Sequence, residues 1–165
     1  MSPTFVQIFS CGGTIDKIYF DSKSDYEVGE PQIDEIFKRC GVAFEFEIVS
    51  LMRKDSLEMS AEDRTVIQSA VESCPASHVL ITHGTDTMTE TGRALLQVPN
   101  KTIVLTGSMT PARFQASDAE FNIGVAVGAL MNSAPGVYVA MNGLVFPTDR
   151  VQKNRDAGRF ESTKD

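Results

Sequence analysis

Val79-Leu80-Ile81-Thr82-His83-Gly84-Thr85-Asp86-Thr87-Met88, residues 79–88, is the stretch whose reading decides the fold. Its first four residues are uncharged and apolar or β-branched, as a buried strand requires. Gly84 breaks the run, and the hydroxyls and carboxylate of 85–87 are the groups that open helices. The same strand, glycine and helix phrase recurs on both sides. Residues 5–9 read as a buried strand ended by Gly12-Gly13, and 102–106 as another ended by Gly107. Asp118 is placed to N-cap a long helix running to about Asn132, and 137–141 form a last clear strand. Asn142-Gly143 then turns the chain into a short hairpin with 144–146.

The intervening segments fit the same scheme. Ile33, Ile36, Phe37 and Cys40 share one face of a helix that Gly41 terminates. Phe44, Phe46 and Ile48 alternate with Glu45 and Glu47, a strand near the sheet edge. Ser60-Ala61-Glu62-Asp63 opens a helix in capping-box style, with Val66, Ile67, Ala70 and Val71 on its buried stripe. Residues 21–30 read as a mobile polar loop, and the tail from Val151 is polar and charged apart from Phe160.

This alternation predicts an α/β fold: an open, mostly parallel sheet with helices on both faces, a Rossmann/flavodoxin-like three-layer sandwich forming a single domain over 1–165. In such folds ligands bind outside the carboxyl ends of the strands. Four unusual segments follow predicted strands, at 11–14, 54–56, 83–87 and 107–110, and are expected to converge on one sheet edge.

Composition narrows the function classes. The 165 residues are 42% hydrophobic and 22% charged, which argues against disorder. No apolar run approaches the ~18–20 residues that cross a bilayer, so no membrane partner is expected. Asp and Glu outnumber Lys and Arg 22 to 15, which disfavours nucleic acid. No secretory signal is visible at the N-terminus, and a cytoplasmic location is the expectation. Cys11, Cys40 and Cys74 suggest neither a disulfide framework nor a zinc knuckle. His78 and His83 lack a third ligand in view, so no metal is expected.

Each motif has a plain and a chemical reading. Gly12-Gly13 after a strand makes a tight turn, or turns backbone N–H groups toward a ligand. It matches neither a dinucleotide fingerprint nor a Walker loop. Thr85 and Asp86 at a helix start are an N-cap, or a nucleophile beside a carboxylate that binds a substrate ammonium or orients a lysine. His83 reads as a hydrogen-bonded structural residue, Ser56 as a turn former, and Lys153 as a solvated charge.

Taken together, FSCGGTI (9–15), YEVG (26–29), KDSLEM (54–59), ITHGTDTM (81–88), LTGSMTP (105–111) and RVQK (150–153) resemble the bacterial-type asparaginase/glutaminase family, most closely its short single-domain members. The resemblance implies an amidohydrolase that converts L-asparagine to L-aspartate and ammonia through a covalent acyl-enzyme. It implies catalytic roles for the residue at Cys11, a loop tyrosine (Tyr26, with Tyr19 competing), Thr85, Asp86 and Lys153. Gly13, Ser56, Gly84 and Ser108 would contact substrate, Ser56 through the α-carboxylate. Backbone N–H groups around Gly13 or Thr85 would stabilise the oxyanion, and Lys153, buried beside Thr85 and Asp86, would take a proton. No cofactor is implied, and the expected assembly is a homo-oligomer.

Three departures stand out. Cys11 occupies the position where the family carries its first threonine, and Leu57 replaces a polar amide found in many members. The C-terminal domain of the longer members is absent from these residues. The rival expectation is a catalytically weak or inactive homologue that binds an amino acid, with Cys11 as the disabling change.

Overall fold

The alternation of apolar runs with helical stripes builds a three-layer sandwich in the computed structural model, which describes residues 4–22 and 24–163. Five strands run parallel: β1 (Phe5–Gly12), β4 (Glu45–Lys54), β5 (His78–Thr82), β6 (Thr102–Thr106) and β7 (Gly136–Met141). The antiparallel β8 (Leu144–Pro147) closes one edge, and the sheet order is β4-β1-β5-β6-β7-β8. β4 lies at the other edge, as its glutamate alternation predicts.

Period-two alternation sends side chains to opposite faces. Val6, Ile8, Leu80 and Val104 point to the face covered by α1 (Ile33–Cys40) and α4 (Ala119–Asn132). Phe9, Ile81, Ile103 and Leu105 point to the face covered by α2 (Ala61–Ser73) and α3 (Met88–Ala94). Among the described residues no helix is long and apolar enough to cross a membrane.

Local differences from the sequence reading have physical causes. The polar stretch expected to be a loop is half of a hairpin, β2 (Lys17–Phe20) with β3 (Asp25–Val28), whose paired aromatics Tyr19 and Tyr26 offset its charged composition; residue 23 lies outside the described residues. The polar tail forms a second hairpin, β9 (Val151–Asn154) with β10 (Arg159–Ser162). Two residues anchor it, Val151 at 0% exposure and Phe160 at 2%. Ser60 and Asp63 form the expected capping box, but Val66 lies half exposed and only Ile67 and Val71 of α2 are fully buried. Cys40 is exposed at the end of α1. Asp118 precedes α4 without capping it; its carboxylate accepts from Met109 N and Thr110 N instead.

Candidate active site

Parallel strands bring their carboxyl ends to one edge, and there the four segments meet through glycine. Gly12 and Gly13 have φ of 85° and 87°, a region closed to most side chains. A Cβ on Gly13 would lie 2.4 Å from Gly84 N and Cα, and one on Gly84 2.6 Å from Ser56 Oγ. A Cβ on Gly107 would lie 2.2 Å from His83 O. The missing side chains therefore let the turns after β1, β4, β5 and β6 touch backbone to backbone.

Ser56, 1% exposed, accepts from Asp86 N at 3.2 Å, and its carbonyl accepts from Thr87 Oγ1 at 2.8 Å. Since Ser56 Oγ is the acceptor there, its own proton remains available to a ligand. His83 is fully buried, and burial lowers its pKa to about 4. Its Nδ1 lies 2.7 Å from Gly84 O, a pure acceptor, so Nδ1 carries the proton and pins the turn; Nε2 meets Thr91 Oγ1 at 2.8 Å. His83 is a structural residue here, as its sequence context suggests. Ser108 is buried and donates to Thr110 O at 2.5 Å, so its hydroxyl proton is spent within its own loop.

A second polar group lies between this edge and the β9/β10 hairpin. Lys153 Nζ donates to Thr85 Oγ1 and to Asp86 Oδ1, each at 2.8 Å. Thr85 is 6% exposed, and the side chain of Lys153 is 15% exposed. The Lys153 hydrogen bond holds Asp86 below the usual carboxylate range, against an opposing contribution from burial. On the outer side Arg155 Nε reaches the same Oδ1 at 3.3 Å. Asp55 lies nearby and bonds Lys17 Nζ at 3.0 Å. Burial works against its charge, but hydrogen bonds from Lys17 and Leu57 N bring its pKa below the ordinary value.

The remaining residues stand apart from this group. Cys11 is wholly buried in the apolar cluster that holds Phe9, Met59, Ile81 and Met88. Burial, then the charge of Asp16, pushes its thiol far above the ordinary range. Tyr19 and Tyr26 face each other across β2 and β3, 51% and 45% exposed, with ring centroids 5.3 Å apart. Tyr26 also packs against Phe114 at 6.0 Å. Among the described residues neither phenol oxygen has a hydrogen-bond partner. A cleft of about 640 Å³ lies elsewhere, between α1 and the segment before α4, lined by Gln32, Glu35, Arg113 and Phe114.

Supporting residues escaped the sequence reading. Asp16, 1% exposed, accepts from Ser10 Oγ at 3.1 Å and Gln32 N at 2.9 Å, while its carbonyl accepts from Gly29 N at 2.8 Å. It ties down both ends of the β2/β3 hairpin, and burial raises its pKa to about 6. Its signal in sequence is a lone acid inside the apolar GGTID run. Asn122 bonds Gly107 O at 3.0 Å and Asp118 at 2.9 Å, fixing the turn after β6.

Residues 5–163 match the family model for the asparaginase N-terminal region. The chain belongs to the asparaginase family. It is 33% identical over 134 residues to the L-asparaginase of Thermococcus kodakarensis, covering 76% of this chain and 41% of that one. It is 34% identical over 129 residues to a glutaminase-asparaginase of Acinetobacter glutaminasificans, covering 74% and 38%. The structure of the Thermococcus asparaginase superposes with a TM-score of 0.83 at 28% identity, over 96% of this chain and 51% of that one. L-asparaginase I from Vibrio cholerae gives 0.78 at 25%, over 98% and 52%. The chain thus spans about half the length, or less, of these asparaginase relatives.

Proposed function

We propose that this asparaginase-family chain hydrolyses the side-chain amide of L-asparagine, releasing L-aspartate and ammonia, with Thr85 as the nucleophile. The observation that carries this reading is Lys153 Nζ bridging Thr85 Oγ1 and Asp86 Oδ1 at 2.8 Å each, at the carboxyl edge of the parallel strands. Lys153 Nζ, 2.8 Å from Thr85 Oγ1, takes the hydroxyl proton as Thr85 Oγ1 attacks the amide carbon. The resulting oxyanion is met by backbone N–H groups of the Thr85 turn, since Gly13 N already donates to Lys54 O at 2.9 Å; a single donor in such sites is worth ~3–4 kcal/mol. Lys153 returns the proton to the departing nitrogen, ammonia leaves, and water cleaves the ester. Ser56, its proton free, binds the α-carboxylate.

The same structure weighs against Cys11 as nucleophile, because a fully buried thiol with a raised pKa supplies no thiolate. That burial also favours the second reading, an amino-acid-binding homologue without turnover. Ammonia release from L-asparagine and L-glutamine separates these readings when wild type is compared with Thr85→Ala and Cys11→Ala. Thr85→Ala should lose about 10²-fold or more in kcat, and Cys11→Ala less than about tenfold. Release that persists in Thr85→Ala contradicts the proposal. Binding of L-aspartate with no ammonia from either amide favours the second reading.

A further inference from the structure

The turn after β4 sets Ser56 between two carboxylates: Asp55 precedes it in the chain, and Asp86 N donates to its Oγ at 3.2 Å. Ser56 is 1% exposed, yet its hydroxyl proton meets no acceptor among the described residues, a buried donor left for a ligand. Burial, and more weakly the charge of Asp86, oppose ionisation of Asp55, and the hydrogen bonds from Lys17 and Leu57 N outweigh both. The two carboxylates are thus within electrostatic reach of one another. Their free capacity differs. Asp86 Oδ1 already takes Lys153 at 2.8 Å and Arg155 at 3.3 Å. Asp55 takes a single cation, Lys17 at 3.0 Å on Oδ2, and Leu57 N at 3.1 Å on Oδ1, which leaves an acceptor position on each oxygen. The Lys17–Asp55 pair is open to solvent, its side chains 28% and 33% exposed. Leu57, exposed on the other side of Ser56, offers no polar atom in its side chain.

In an α-amino acid the ammonium and the carboxylate hang on one carbon, so a carboxylate held by Ser56 brings the ammonium to the same turn. An ammonium leaving water needs an anionic acceptor there. We infer that Asp55 is that acceptor: it receives the substrate's α-ammonium beside Ser56, in competition with the Lys17 ammonium, and so selects amides that carry an α-amine over amides that lack one. The inference rests on the amidohydrolase reading, which puts the α-carboxylate at Ser56. Lys17 sits on a flexible stem and yields its position to a cation fixed by its own carboxylate. These contacts are partly exposed, so the preference is severalfold and not absolute.

The test compares L-aspartate with succinate, which differ only in the ammonium group, by calorimetric titration of the purified chain and of Asp55→Asn and Lys17→Met. Wild type should bind L-aspartate more tightly. Asp55→Asn, which can still accept from Leu57 N, should move the affinity ratio toward succinate by about three- to tenfold. Lys17→Met removes the competing cation and should move the ratio the other way, toward L-aspartate, by about two- to threefold. Opposite signs are the signature of competition for Asp55. An ion pair that only braces the turn would weaken both ligands alike in both variants, and an unchanged ratio overturns the inference. Failure of wild type to bind either ligand overturns it too. Ammonia release from L-asparagine and succinamate is read in parallel. Opposite ratio shifts with no ammonia from either amide keep the Asp55 assignment and defeat the hydrolase reading. Ammonia from L-asparagine with no ratio shift does the reverse.

Discussion

Two hairpins flank the carboxyl edge of the sheet, and they differ in how they are held. The β9/β10 hairpin, which carries Lys153, is plugged into the core by Val151 and Phe160 and tied by Arg93 to Val151 O at 3.1 Å and by Phe160 N to Asn142 Oδ1 at 2.8 Å. The β2/β3 hairpin, which carries Tyr19 and Tyr26, leaves its aromatics half in solvent and is secured at its base through Asp16. A group that must hold two hydrogen bonds at 2.8 Å is built on the anchored hairpin. The exposed aromatic hairpin has fewer buried side chains to hold it in one arrangement.

The largest expected effect separates the two hairpins directly. Lys153→Met should lower kcat for ammonia release by about 10²–10⁴-fold, whereas Tyr19→Phe and Tyr26→Phe should each cost less than about tenfold. Equal losses in all three would erase the distinction between the hairpins.

A second comparison tests glycine against glycine. Gly13→Ala places a Cβ 2.4 Å from Gly84 at φ +87°, while Gly158→Ala, in the turn of the Lys153 hairpin, meets open space at φ +62°. Urea unfolding should show Gly13→Ala destabilised by more than about 2 kcal/mol, and Gly158→Ala by about 1 kcal/mol. Comparable losses would mean that contact between the turns after β1 and β5 is not what requires Gly13.

The base of the aromatic hairpin should also respond to pH. Burial raises the Asp16 pKa from 3.8 to about 6, so the fold favours the neutral acid. Its contribution to stability is complete below about pH 4 and is lost as pH rises through about 6. Relative to Asp16→Asn, wild type should lose up to about 3 kcal/mol of unfolding free energy between pH 4 and pH 7. A difference that stays constant over this window would contradict the buried setting of Asp16. The smallest effect concerns the outer end of the same hairpin. Phe114→Ala removes the ring 6.0 Å from Tyr26 and should speed amide exchange in β3 by about two- to fivefold, with β9 unchanged.

Much of this molecule is legible in its residues. Uncharged strands such as 79–82 and 102–106 announce themselves, and glycines after them mark the edge where the candidate site lies. Thr85, Asp86 and Lys153 are picked out by resemblance, and the hydrogen bonds among them supply the physical reason. The two hairpins were not legible, because polar strands stabilised by one cross-strand aromatic pair or by two buried plugs carry almost no periodic signal. Asp118 misled for a related reason: an acid before a helix reads as a cap, whereas here its acceptors are claimed by the turn at 109–110. Arg155 was invisible, since a charge in a charged tail has meaning only once β9 places it against Asp86.

The proposed reaction turns on Thr85 as the group that becomes acylated. Rapid acid quench during turnover of L-asparagine, followed by peptide mass mapping, tests this most directly. The prediction is an aspartyl adduct on the peptide containing Thr85 in wild type, and none in Thr85→Ala. An adduct on the Cys11 peptide during ammonia release would contradict it.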